Sequence, residues 1–307
     1  MIRLVIDTDP GVDDAHAIMA AFAHPKAQVE ALTTVAGNVS LEQTTANACT
    51  ILDILEQDVP VYVGCGRPLV GDVVDAGYFH GQDGLGDSGY PPSTRQVADE
   101  HAVHALIRLA NESPGELTLV AIGPLTNVAL ATRLDPALPQ KYKRLVVMGG
   151  AIRGTGNVTT AAEFNAYADP EAAAIVFDAW SGLTLVSWET TLAHGFTAEQ
   201  VDALLAVDSP QAEFFRRITY HSIEVLEQIL GRKTLMEPDL LAVAAALEPD
   251  IVRQAETHYV RVELAGTHTR GLTTVDWFDR TGQEPNVELA LELDTERVWE
   301  MLQATVR

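Results

Sequence analysis

Near the start of the chain the run DTDPGVDD places four carboxylates, Asp7, Asp9, Asp13 and Asp14, within eight residues and with no cationic side chain among them. Capping a helix uses one or two such groups, not four. Like charges held this close raise one another's pKa values, so the cluster calls for a cation. An all-oxygen donor set suits calcium or magnesium rather than zinc. Further polar residues recur after apolar runs: Gly37-Asn38, GPLTN at 123–127, MGG at 148–150, Gly156-Asn157, and AEFN at 162–165. If those runs are parallel strands, their carboxyl ends share one rim, and separate loops can build one pocket there.

The elements that must position these residues are legible in the patterning. Short β-rich runs at Ile2–Ile6, Val29–Val35, Val61–Val63, Leu117–Ile122, Arg144–Met148 and Leu183–Val186 read as strands, several nearly all apolar, as strands covered on both faces should be. Amphipathic stretches between them predict helices at Asp13–Ala23, Leu41–Glu56, Asp99–Asn111, Leu125–Leu134 and Pro170–Asp178, with Ser40 and Asp169 as N-caps. This alternation predicts an α/β fold, an open and mostly parallel central sheet with helices on both faces and a Rossmann-like core. After Val186 the grain changes, with helices expected at Ala198–Leu205, Gln211–Leu230, Leu240–Leu247 and Thr295–Ala304, and strands at His258–Glu263 and Thr273–Asp276.

The chain has 307 residues and no Pro/Ser/Gly-rich linker, so one domain over 1–307 is expected. With 20 basic and 43 acidic residues the formal net charge is -23, which repels nucleic acid and anionic membranes and suits a small neutral or cationic substrate or a metal ion. Met1 runs directly into the first strand, no stretch has the length and apolarity to span a bilayer, and Cys49 and Cys65 do not make a disulfide framework. A reduced, cytoplasmic setting is the expectation.

DTDPGVDD, the HGQDGLG loop at His80–Gly86, GPLTN, MGG, AEFNAYADPEAA from Ala162 to Ala173, and an Asp opening a late helix occur in an order that resembles the inosine-uridine preferring nucleoside hydrolase family across nearly the whole chain. The resemblance implies hydrolysis of the N-glycosidic bond of ribonucleosides or related ribosides, releasing ribose and free base in purine and pyrimidine salvage. It implies a calcium ion held by Asp9, Asp14, Asp239 and the backbone carbonyl of Ile122, with Asp9 also the general base and Asp13 a ribose contact. Asn157, Glu163 and Asn165 match sugar-binding positions, and Asn38 lines the same pocket. A calcium-positioned water, an oxocarbenium-like transition state and inversion at C1′ follow from that chemistry. A homodimer or homotetramer is the expected assembly.

The departing base is less well provided for. Immediately before Asp239, relatives carry His or Trp, whereas this chain has Pro238, which has no proton to donate and no aromatic face. Substitutes are Tyr220 and Glu224, spaced for one face of the helix that precedes Asp239, and His80 as a catalytic residue in a glycine-flanked loop able to close over substrate. Trp188 and His194 follow a strand and could face the same rim. Two other readings remain open: a calcium-dependent riboside-binding protein with weak or no turnover, and a haloacid-dehalogenase-type magnesium phosphatase with Asp7 as nucleophile and Asp9 as acid/base.

Overall fold

A computed structural model describes residues 1–307. Ten strands occur, β1 (Ile2–Thr8), β2 (Ala27–Thr34), β3 (Val61–Val63), β4 (Leu117–Ala121), β5 (Arg144–Met148), β6 (Leu183–Val186), β7 (Val252–His258), β8 (Val260–Val262), β9 (Thr273–Val275) and β10 (Val287–Leu293). Eight of them form one sheet in the order β3-β2-β1-β4-β5-β6-β10-β7, parallel throughout except for the antiparallel edge strand β7. The remaining pair, β8 and β9, makes a small antiparallel ribbon.

The helices are α1 (Val12–Ala23), α2 (Leu41–Ile54), α3 (Gly77–His80), α4 (Ala102–Glu112), α5 (Thr126–Leu134), α6 (Leu138–Lys141), α7 (Phe164–Ala168), α8 (Pro170–Ala179), α9 (Trp188–Ala193), α10 (Ala198–Leu205), α11 (Pro210–Leu230), α12 (Pro238–Leu247) and α13 (Thr295–Ala304). They cover both faces of the sheet, and the strand period of two divides the core accordingly. Leu4 and Ile6 of β1 pack with α1, α2 and α12, whereas Val5 packs on the opposite side with α4, α5 and α8. The predicted caps are in place: Ser40 accepts the Gln43 N–H at 3.3 Å and Asp169 the Ala172 N–H at 3.0 Å. Every residue of α12 is buried, as a helix apolar on all sides must be, and it packs against α1 and β5.

The chain winds outward from β1 to β2 and β3, then returns to add β4 on the other side of β1. That reversal leaves a crevice beyond the carboxyl ends of β1 and β4, where the acidic turn and the GPLTN segment meet. Expectation and structure part in the last fifth. The stretch His258–Glu263 is not one strand: His258 ends β7 on the large sheet, and Val260–Val262 pairs instead with β9. β10, unanticipated, is an interior strand between β6 and β7. Cys49 and Cys65 are free, and no helix is long and apolar enough to cross a membrane.

Candidate active site

The turn from β1 into α1 buries its carboxylates against two helix N-termini. Asp13 and Asp14 lie in the first turn of α1 and Asp239 in the first turn of α12, and each brings a carboxylate oxygen within 4.8 Å of the other two. Helix N-termini carry partial positive charge and favour such groups, but only in part. Asp14 is the best satisfied: Oδ1 accepts from the Thr8 hydroxyl and the Asp9 N–H, and Oδ2 from the Gly11 N–H at 2.9 Å and the Asn38 amide at 3.0 Å. Asp239 has no hydrogen-bond donor directed at it. Burial and then the Asp13 charge hold its carboxyl well above the usual carboxylate range. Asp13 is pushed up to about 7, chiefly by burial and then by Glu237, and Asp14 to about 6, by burial and then by Asp13.

Asp9 stands beside this trio rather than within it. Its Oδ2 accepts the Asn38 N–H at 2.8 Å, while Oδ1 is buried with no partner. The carboxylate is wedged between two glycines: a Cβ on Gly37 would lie 2.0 Å from Oδ2, and one on Gly123 2.5 Å from Oδ1. Larger residues at either position would displace Asp9. Burial, reinforced by Asp14, raises its pKa well above the normal carboxylate value.

The rim loops complete the floor of a cavity of 340 Å³. Asn38, Ile122, Asn157, Glu163 and Asn165 all line it, as do Asp13, His80 and Asp239. Several of these are already engaged with backbone. Glu163 caps α7, accepting the N–H groups of Gly150 (2.7 Å), Asn165 (2.8 Å) and Ala166 (3.1 Å). The Asn165 amide donates to the Ile122 carbonyl at 2.9 Å, and Asn157 Oδ1 accepts the Phe164 N–H at 2.8 Å. His80 Nδ1 accepts the Val12 N–H at 3.1 Å, so the neutral ring carries its proton on Nε2. Burial lowers the His80 pKa to about 4.

Other predicted residues fall elsewhere. Tyr220 and Glu224 are exposed and do not line the cavity; α11 turns Leu226, Ile229 and Leu230 toward it, because its orientation is set by burying Phe214, Phe215 and Ile218 in the core. His194 is a structural tie, its ring placed between the Thr190 carbonyl at 2.6 Å and the Leu293 N–H at 2.9 Å. Trp188 does face the cavity. Asp7, Asp9 and Asp14 are all fully buried, behind the residues that line the cavity; Asp7 Oδ1 accepts from Thr33 and from the Asn127 amide at 2.8 Å. No Lys or Arg lines the cavity to clamp a phosphate, which speaks against a phosphatase with Asp7 as nucleophile.

Sequence reasoning missed the pair that keys the two helix N-termini together. His16 on α1 lies 2.8 Å from Glu237 Oε1, and its Nε2 lies 3.0 Å from the Thr219 hydroxyl of α11. The Thr219 hydroxyl donates to the Phe215 carbonyl, so Nε2 must carry the ring proton, and the His16–Glu237 contact shares one further proton. The proximity of Glu237 to Asp239 was the available signal. It shows only once α12 is docked on α1.

The motif for inosine-uridine preferring nucleoside hydrolases matches residues 4–300. A pyrimidine-specific ribonucleoside hydrolase, RihB, of Escherichia coli O17:K52:H18 (strain UMN026 / ExPEC) is 34% identical over 305 residues, which is 99% of this chain and 97% of the relative. Among solved structures, an inosine-guanosine nucleoside hydrolase superimposes with a TM-score of 0.91 at 36% identity, covering 99% of this chain and 98% of the other. A plant nucleoside hydrolase, the PpNRh1 enzyme, gives 0.93 at 35% identity with the same coverage. With the family match spanning residues 4–300 and relatives above 30% identical over nearly the whole chain, the chain belongs to the inosine-uridine preferring nucleoside hydrolase family and is an N-ribohydrolase.

Proposed function

We propose that the protein hydrolyses ribosides by an inverting attack of water on C1′, with Asp9 as general base and calcium as the resident ion. The observation that carries this reading is Asp9 Oδ1, a buried carboxylate oxygen without a partner beside three converging carboxylates. The residues present fit a hard divalent cation. All donors are oxygen, no Lys or Arg lines the cavity, and the carboxyls of Asp9 and Asp239 are raised first by burial and then by the neighbouring carboxylates. Asp9, Asp14, Asp239 and the Ile122 carbonyl would hold the ion; of these, Asp14 and Asp239 converge in the structure together with Asp13, and Asp9 stands beside them. When bound, calcium supplies Lewis acidity toward water and an oxygen-seeking centre for the cis-diol of a ribose.

The remaining work falls to the chain. Asp9 takes the proton of the attacking water, which is the role left to an acceptor held rigidly on one oxygen and free on the other. Asp13, Asn38, Asn157, Glu163 and Asn165 bind and orient the sugar; Glu163 and Asn165 are themselves locked by backbone hydrogen bonds, so little rotamer freedom is lost on binding. The surrounding carboxylates stabilise positive charge developing on the ribosyl ring. His80 donates its Nε2 hydrogen toward the departing base. The relatives are named for different bases, one pyrimidine-specific and one for inosine and guanosine. Base preference in this chain is accordingly a property of its own cavity wall.

A panel of ribosides assayed with and without chelator tests the proposal. Cleavage of 4-nitrophenyl riboside that stops on chelation and returns with calcium is expected, because that leaving group needs no acid. Tight calcium-dependent ribose binding without cleavage of any riboside would make the protein a binding protein and overturn the reading.

A further inference from the structure

From Arg153 onward the rim loop that follows β5 is held through its backbone. Arg153, Gly154, Thr155 and Asn157 are exposed, so side-chain burial does little to fix the segment, yet Thr155, Gly156 and Asn157 line the cavity. The Arg153 guanidinium lies outside the cavity, 5.6 Å from the centre of the Trp277 ring. At its far end the loop is tied by the Phe164 N–H, which donates to Asn157 Oδ1 at 2.8 Å. Toward its start the polar anchor is the carboxylate of Glu189, in the first turn of α9. Its Oε2 accepts the Ile152 N–H at 2.9 Å, and Oε1 accepts the N–H groups of Arg153 at 2.7 Å and Thr155 at 3.3 Å.

A carboxylate gathering backbone donors makes charge-assisted bonds, stronger than those to a neutral acceptor. It also fixes the path of the chain that supplies them. The same turn of α9 carries Trp188, which lines the cavity and whose N–H donates to the Gly150 carbonyl at 2.9 Å. Gly150 in turn donates its N–H to Glu163 on the floor at 2.7 Å. One helical turn thus ties a wall residue, a rim loop and the floor together, while Glu189 itself does not line the cavity.

We propose that Glu189 is a positioning residue for substrate binding: by holding the Ile152, Arg153 and Thr155 N–H groups it sets how far Thr155, Gly156 and Asn157 stand from Trp188. That separation is the width of the cavity between a residue that orients the sugar and one that faces the aglycone. The inference rests on the ribohydrolase reading above and adds to it a residue that acts through others. Thr155, Asn157 and Trp188 hold the substrate without taking part in bond cleavage, so their contacts are made alike in the bound substrate and in the transition state. Loss of such uniform binding raises KM and spares kcat.

The test is steady-state kinetics on 4-nitrophenyl riboside for the calcium-loaded wild type, Glu189→Ala and Glu189→Gln, with circular dichroism to check the fold. Glu189→Ala is expected to raise KM about tenfold while kcat stays within about threefold of wild type. Glu189→Gln keeps one acceptor oxygen for Arg153 and Thr155 and loses the bond from Ile152, so its KM should rise by only about threefold. That graded variant decides the matter should the alanine one not fold. An unchanged KM, or a fall in kcat at unchanged KM such as a smaller folded fraction gives, would overturn the inference and leave the ribohydrolase reading standing. Failure of the wild type to cleave 4-nitrophenyl riboside would overturn both.

Discussion

The floor and the mouth of the cavity are built on opposite principles. The floor is polar, buried and pinned by backbone hydrogen bonds, with Glu163 capping α7 and Asn38 bridging Asp9 and Asp14. The mouth is apolar, exposed and contributed by short or terminal pieces of helix, α3, α9 and the end of α11. A floor of that kind discriminates strictly, because any polar group left unpaired there is costly, whereas an apolar wall separates similar ligands weakly. Ribose should be read stringently and the aglycone loosely.

The largest effect expected from this contrast is on the sugar. Removing the 2′-hydroxyl of a good substrate should lower kcat/KM by about 10⁴-fold, measured on matched ribo- and 2′-deoxyribosides; a loss under tenfold would show that the floor does not read the diol. Next, Asp9→Ala should lower kcat on 4-nitrophenyl riboside by about 10³-fold with an unchanged circular dichroism spectrum, and equal activity would refute its role as base.

The ion-free floor should also betray itself in stability. Asp7 and Asp13 titrate at about 7 and Asp14 at about 6 in the folded state, raised chiefly by burial. Raised acid pKa values give stability that is fully present below the unfolded values near 4 and lost as pH rises through the folded ones. In chelator, Tm should therefore fall between pH 4 and 7. Calcium at about 100 times its Kd should restore about 2.7 kcal/mol at pH 7 and much less at pH 4. A Tm independent of both pH and calcium would argue against an ion site on the floor.

Smaller effects belong to the mouth. Pro238 occupies the first turn of α12, where its missing N–H is not needed, so Pro238→His is tolerable there. It should raise kcat/KM for inosine or uridine by about tenfold by adding a second donor beside His80, without raising that of 4-nitrophenyl riboside, whose leaving group needs no acid. Smallest of all, Tyr220→Ala and Glu224→Ala should change stability by no more than about 0.5 kcal/mol and leave the kinetics unaltered, since both project from α11 away from the cavity. A marked rise in KM for either would put that helix face back in the site.

The same contrast marks what could be read from the amino-acid order. The acidic turn, the GPLTN segment and AEFN are local strings at strand ends, so β1, β4 and β5 with their loops were placed to within a residue or two, and the floor followed. The mouth was illegible because its residues are ordinary helix hydrophobics whose exposure depends on how α11 docks. The i,i+4 spacing of Tyr220 and Glu224 identifies a face but not its direction. β10 was missed for a related reason. Its alternating VELALEL carries Glu288 and Glu292; Glu292 is exposed, and Glu288 accepts from the Thr184 hydroxyl of β6, which makes the charge compatible with an interior strand.

Asp14 enters from the first helix of the chain and Asp239 from the penultimate one, and the His16–Glu237 contact joins the two helices. An ion site assembled from segments so far apart in sequence cannot exist until α12 has closed on α1. The nascent protein would therefore be blind to such an ion through most of its folding, because loop closure across nearly the whole chain must precede any contribution from it. An ion bound there would act on the finished molecule, slowing unfolding rather than hastening assembly.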